Sequence, residues 1–171
     1  MIFLGLDLST TTCGWAFTEN NSLNNKNILD CGFLDISKFS SHKEKAEFII
    51  SELDKKSIVF DEINLEAALG GWSGGGGNMQ TVIKLARWNA VFEYILSENY
   101  NIKINLSNAV TMRKQILGKC FIKGVKPKDF VKEHLEKMYD LNKWLILNKK
   151  GNEDKRMSDI RDAIICSLYR P

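Results

Sequence analysis

The sequence predicts an α/β fold with one mixed five-stranded sheet, three antiparallel strands and then two parallel ones, flanked by helices. Three observations carry this prediction. The first 36 residues hold three apolar strand candidates joined by short, turn-rich links, which favour an antiparallel meander. Two later strand candidates each follow a segment of helical periodicity, and a helical crossover returns the chain parallel. The resulting order β-β-β-α-β-α-β-α-α-α fits a sheet covered by helices.

The elements follow in order. Residues 2–8, 13–19 and 29–36 are the first three strands, linked by Ser9 to Thr12 and by Asn20 to Asn27. Residues 41–56 read as a helix: Ser41 caps it, Glu44 completes a capping box, and Ala46, Ile49, Ile50 and Leu53 share one face. A strand at 62–67 runs parallel to the first. Gly70 to Gly77 is a glycine-rich loop carrying Trp72. The long helix 78–98 presents Val82, Ile83, Ala86, Ala90 and Val91 as its apolar face. Residues 102–107 form the fifth strand. Two basic helices, near 108–117 and 127–138, precede a polar linker at 148–155 and a last helix at 156–169.

A length of 171 residues suits one domain, residues 1–171, with one core. Net charge is only +3, so the total does not announce a polyanion partner. Its distribution says more. Between Lys103 and Lys155 basic residues outnumber acids, with Arg113, Lys114, Lys119, Lys123, Lys126 and Lys128 among them. Such a segment can track phosphates, or it can simply be a solvated lysine-rich surface. Cys13, Cys31, Cys120 and Cys166 lie far apart with no C-x-x-C, and His42 and His134 are not spaced with them as zinc ligands. Embedded in apolar segments, Cys13, Cys31 and Cys166 read as buried thiols of a reducing, cytoplasmic compartment. No signal peptide is expected, and no run of about 18 apolar residues marks a membrane span.

Four acids stand out. Asp7 and Glu66 end apolar strands, and Asp159 and Asp162 lie three apart in the last helix, on one face. Ile160, Ile164 and Leu168 form a different, apolar face. The bland alternatives are plain: Asp7 caps a turn, and the helical pair is an exposed acidic helix start neutralised by Arg156 and Arg161. Together, however, strand-end carboxylates and a helical D-x-x-D pair can clamp two divalent cations over a phosphodiester.

Leu4-Gly5-Leu6-Asp7-Leu8-Ser9, Gly14-Trp15-Ala16, Asn64-Leu65-Glu66-Ala67 and Ser158-Asp159-Ile160-Arg161-Asp162-Ala163 resemble the RuvC-type Holliday junction resolvases. These belong to the RNase H-like (retroviral integrase) superfamily. The resemblance implies a five-stranded mixed sheet and cleavage of four-way or branched DNA by a homodimer that pairs through helix 78–98. It implies Mg²⁺ as cofactor, with Mn²⁺ able to substitute, and Asp7, Glu66, Asp159 and Asp162 as catalytic metal ligands. The run Arg113-Lys114-Gln115-Ile116-Leu117-Gly118, with Lys126-Pro127-Lys128, is similar to the family's DNA-backbone segment; Lys114 is carried over, with Lys126 or Lys128 as the second lysine. Leu8-Ser9 stand where bacterial members carry Pro-Gly, and the glycine tract is longer, as in resolvases of phages and mobile elements. In the family, a loop after the glutamate wedges an aromatic into the junction. Leu69 or Trp72 can take that part, or Trp72 folds back onto the sheet.

Three other readings compete. Gly5 to Thr11 also resembles the first phosphate loop of sugar kinases, but that fold needs two lobes, and no Walker A motif follows Gly77. A second is a DNA-binding relative without catalysis. The third is the same chemistry on flaps or RNA–DNA hybrids.

Overall fold

The computed structural model describes residues 1–22, 25–67 and 79–171; the glycine tract, with Leu69 and Trp72, lies outside them. Five strands form one sheet in the order β3-β2-β1-β4-β5. They are β1 (Ile2–Leu8), β2 (Thr12–Ser22), β3 (Asn25–Asp35), β4 (Glu62–Glu66) and β5 (Lys103–Ser107). β1, β2 and β3 are mutually antiparallel, whereas β4 runs parallel to β1 and β5 parallel to β4, as the connections demand. The helices are α1 (His42–Asp54), α2 (Met79–Asn99), α3 (Ala109–Leu117), α4 (Pro127–Met138) and α5 (Met157–Leu168). No helix among the described residues is long and apolar enough to cross a membrane.

The pleat sorts β1 between two apolar layers. Leu4, Leu6 and Leu8 pack with Trp15, Phe17, Ile63 and Leu65 beneath α1 and α2. The alternate residues Phe3, Gly5 and Asp7 therefore face the other side. There α5 lies on the sheet, buried through Ile160, Ala163, Ile164 and Leu168, with α3 and α4 packed outside it. Ser41 and Glu44 make the expected reciprocal cap of α1, and Ala46, Ile49, Ile50 and Leu53 are its buried face.

Two glycines set how near α5 comes. A Cβ on Gly5 would stand 2.2 Å from Ala163 O, and one on Gly14 would stand 2.2 Å from Asp159 O. Helix backbone thus lies directly on strand backbone. Polar bonds then pin the elements: Asn64 Nδ2 donates to Cys166 O and Tyr169 O, each at 2.9 Å, and Thr18 Oγ1 donates to Ser167 O at 2.8 Å.

The structure departs from the sequence expectations in three places. β2 and β3 run on past the expected ends, to Ser22 and from Asn25, because backbone pairing across the hairpin outweighs the turn preference of its asparagines. Residues 142–144 add a short 3-10 turn. The face of α2 is rotated: Trp88, Asn89, Phe92 and Leu96 are buried, while Ile83 is exposed and Ala90 faces out. Large aromatic side chains dominate the burial of that helix, and of the expected stripe Val82, Ala86 and Val91 are only half-buried.

Adding one methyl at Gly14 should act on the whole α5 contact. Gly14→Ala should cost about 3 kcal/mol by urea unfolding, the upper range for overpacking a rigid contact. An unchanged midpoint would mean that α5 does not lie against β2 this closely.

Candidate active site

Sheet register brings the first two acids together. Leu6 pairs with Leu65 across β1 and β4, so Asp7 and Glu66 come one step later on adjacent parallel strands. Both face α5, since Ile63 and Leu65 face the opposite layer. Asp7 also pairs with Gly14, the glycine over which the backbone of Asp159 lies. Asp162 is one helical turn further along α5. The topology thus brings these four acids to the same region, where two parallel strands end, the edge at which α/β sheets commonly form sites.

Burial, together with like charge nearby, shifts Asp7, Glu66 and Asp162. Burial pushes the Asp7 carboxyl well above its ordinary value, and the charges of Glu66, Asp162 and Asp159 push it further. Burial, with Asp162 beside it, raises Glu66 to about 7, although Arg113 pulls the other way. Asp162 is also raised by burial, against the opposing pull of Arg113. Carboxylates crowded out of water in this way are unfavourable without a cation.

Arg113 and Lys128 are the cations that pull Asp162 down, Arg113 the more strongly. Arg113 Nη2 donates to Asp162 Oδ1 at 2.8 Å, and both side chains are largely buried. The sequence had suggested Arg156 and Arg161 as neutralising groups, but their hydrogen bonds go elsewhere. Arg156 makes a two-pronged pair with Asp154, and Arg161 binds Glu153 and Glu136. Asp154 precedes the helix and Glu136 comes from α4, so tertiary placement redirects both arginines.

Asp159 is oriented by hydroxyls. Thr12 Oγ1 donates to its Oδ2 at 2.8 Å, and Ser158 Oγ lies 3.1 Å from its Oδ1. Thr12 is held by the turn after β1, where its backbone N–H donates to Ser9 Oγ at 2.8 Å. Two neighbouring residues of α2 steady the strand ends: Trp88 Nε1 donates to Ser9 O at 3.1 Å, and Asn89 Nδ2 donates to Glu66 O at 2.8 Å. Sequence reading missed Thr12, Trp88 and Asn89. Only Asn89 left a trace, as an amide within an apolar stretch of helix.

The basic candidates divide. Arg113 turns inward to the acids. Lys128 is exposed at the start of α4, yet its Nζ donates to Ser158 Oγ at 2.8 Å, one residue from Asp159. Lys114 and Lys126 are exposed on α3 and at its far connection. A groove of about 470 Å³ opens beside Asp159, lined in part by Thr12, Lys128, Lys155 and Arg156. A hollow of about 560 Å³ around Arg161 lies between α4 and α5, where Glu136 and Glu153 already match the arginine's charge.

The donor set suits a hard divalent cation: carboxylate oxygens, withdrawn from water and short of positive charge. As placed, no three potential ligands among the described residues are gathered around one point.

The fold has close counterparts among solved structures. RuvC of Thermus thermophilus matches with a TM-score of 0.62 over 98% of this chain and 92% of that one, at 13% identity. The same protein in complex with Holliday junction substrate matches equally well. The yeast mitochondrial Holliday junction resolvase Ydc2 has a TM-score of 0.61 at 14% identity, covering 96% of this chain and 75% of its own. The Fowlpox virus resolvase, in a complex with substrate Holliday junction DNA, has 0.51 at 16%, covering 98% and 95%. By sequence, neither a family profile nor a curated protein matches. The chain therefore shares the fold of these Holliday junction resolvases.

Two outcomes follow from the buried charges. Asp7 and Glu66 bind protons more tightly folded than unfolded, so they support stability fully below the ordinary carboxylate range. That support is lost as pH rises through about 7. In EDTA the thermal midpoint should fall between pH 5 and pH 8, and millimolar Mg²⁺ at pH 8 should reverse most of the fall. A flat profile would mean that the acids are solvated. Arg113→Gln should cost about 3 kcal/mol at pH 8, the usual penalty for leaving one member of a buried pair uncompensated. The cost should shrink as pH falls and Asp162, raised by burial, takes up a proton; calorimetry at pH 8 and at acid pH checks the difference.

Proposed function

We propose that this chain is a divalent-metal-dependent, structure-selective endonuclease that resolves Holliday junctions or related branched DNA by paired nicks. One observation carries the reading: Asp7, Glu66, Asp159 and Asp162 lie at one sheet edge in a resolvase fold, and burial raises the carboxyls of Asp7, Glu66 and Asp162. The resolvases of this fold that were solved with DNA hold Holliday junctions, which is the substrate class proposed here.

Asp7, Glu66, Asp159 and Asp162 would hold Mg²⁺, or Mn²⁺ in its place. The bound metal supplies positive charge at the scissile phosphodiester and makes water acidic enough to attack at neutral pH. The protein's own contribution is geometric and electrostatic. Asp7 and Glu66 give up their raised protons when positive charge arrives, so ligation and deprotonation are coupled. Thr12 and Ser158 hold the carboxylate of Asp159 in one orientation. Arg113 keeps Asp162 in place until a stronger cation competes for it. Lys128, beside Ser158, meets the phosphate nearest the acids, and Lys114 and Lys126 meet the backbone further out. Cutting on the 3′-oxygen side leaves 5′-phosphate and 3′-hydroxyl ends that a ligase can seal.

Paired nicks on opposite strands call for two sites related by a two-fold axis, and hence a homodimer. The outer face of α2 is a suitable contact, since Met79, Ile83 and Tyr94 are 57%, 44% and 64% exposed. These residues recur along one side of the helix, and burying them would cover an apolar stripe otherwise left in water.

The decisive assay compares labelled four-way junction, flap, duplex and RNA–DNA hybrid in Mg²⁺. Wild type should nick the junction most rapidly. Asp7→Asn, Asp159→Asn and Asp162→Asn should each lower cleavage at least about 100-fold while leaving binding within a few-fold. Junction binding with no cleavage under any divalent ion would instead favour a scaffold, and preference for flap or hybrid would reassign the substrate. For assembly, sedimentation velocity at micromolar concentration should give a dimer for wild type and a monomer for Ile83→Glu/Tyr94→Arg. A monomeric wild type would end the two-fold arrangement.

A further inference from the structure

Of nine phenylalanines, eight are buried or half-buried, and Phe121 alone is 62% exposed. It sits in the connection between α3 and α4, next to Ile122 and near Val125, which are 40% and 37% exposed. An aromatic side chain left in water by a fold that buries its others calls for a physical reason.

The loop around it is built to a shape. Gly118 ends α3 in the left-handed conformation at φ 74, and Pro127 opens α4 with its ring-fixed φ. Between them Val125 N donates to Ile122 O at 3.1 Å, closing a turn through Gly124 at φ 86. The turn presents Phe121 and Ile122 together on its outer side. From Gly118 to Lys128 the sequence contains Lys119, Lys123, Lys126 and Lys128 and no acid. The loop also joins the two helices that reach the carboxylates: α3 carries Arg113, bonded to Asp162, and α4 carries Lys128, bonded to the serine beside Asp159.

An apolar ring framed by cations, without interleaved acid, matches one partner chemistry: a phosphate chain whose bases offer exposed π faces. A protein partner would need a broader apolar surface than three side chains, and it would have to match four lysines with acids. Duplex DNA keeps its base faces stacked, so the ring would find them only where stacking is broken. We propose that Phe121, with Ile122 beside it, is a base-contacting element that stacks on unpaired or unstacked bases near the branch point, while Lys119 and Lys123 hold the flanking phosphates. This rests on the branched-DNA reading above and adds to it a contact on the α3–α4 loop, separate from the segment that contains Leu69 and Trp72. Stacking on an aromatic side chain is tolerant of base identity, so the contact selects structure rather than sequence.

The test uses a four-way junction with 2-aminopurine at the branch point, a single strand and a plain duplex, with Ca²⁺ in place of Mg²⁺ to slow cutting. Phe121→Ala should weaken junction and single-strand binding about 10-fold and duplex binding less than 2-fold. It should also abolish the change in 2-aminopurine fluorescence seen with wild type. Phe121→Trp should restore both, and the thermal midpoints of both variants should match wild type because the side chain is exposed. Wild-type affinity and an unaltered fluorescence change in Phe121→Ala would overturn the stacking contact and leave the nuclease reading standing. A wild-type protein that binds no branched DNA would overturn both.

Discussion

The architecture depends on one close approach: α5 lying backbone to backbone on β1 and β2. Gly5 and Gly14 leave no side chain between helix and strands, and the buried face of α5 fills the layer around them. This contact carries Asp159 and Asp162 to the strand ends that already hold Asp7 and Glu66. A helix standing a side chain's thickness further out would leave the helical acids on the surface, where they would be solvated and unremarkable in charge. The same contact helps to bury Asp7, Glu66 and Asp162, and burial is the largest cause of their raised carboxyls.

Such a cluster opposes folding. Its repulsion is tolerated because apolar burial on both faces of the sheet outweighs it, and because Arg113 contributes one compensating charge. On the proposed function, stability is given up at this site for chemistry, a common pattern where function requires unmatched charge. Trp88 and Asn89 tie a single turn of α2 to Ser9, after β1, and to Glu66, the last residue of β4, and the hydroxyls of Thr12 and Ser158 hold Asp159. Rigid carboxylates lose little freedom when an ion arrives, which favours tight and geometrically selective binding.

Basic residues act at two ranges. Arg113 and Lys128 are engaged with the acidic cluster or its neighbours, whereas Lys114, Lys119, Lys123 and Lys126 lie outward along α3, the loop and the start of α4. A polyanion approaching from that side meets the outer lysines first and the acids last. On the proposed function, this separation would let a chain with a net charge of only +3 draw DNA toward a negatively charged pocket.

Much of this was legible in the sequence. Apolar runs and short links marked the strands, the Ser41–Glu44 pair marked the start of α1, and the strand-end positions of Asp7 and Glu66 placed them on one edge. Local patterning determines such features because they depend on neighbours along the chain. The buried face of α2 was misread, since Val82, Ile83, Ala86, Ala90 and Val91 form as regular a stripe as Trp88, Phe92 and Leu96, and only packing against α1 and the sheet chooses between them. The partners of Arg113, Arg156 and Arg161 were likewise beyond local pattern: each long side chain has acids within reach along the chain or across the fold, and tertiary placement decides which one it meets. The sequence by itself determined the elements, their order and the acids that end them; the tertiary structure alone decided which faces touch and which charges pair, because those depend on distances between residues far apart in the chain.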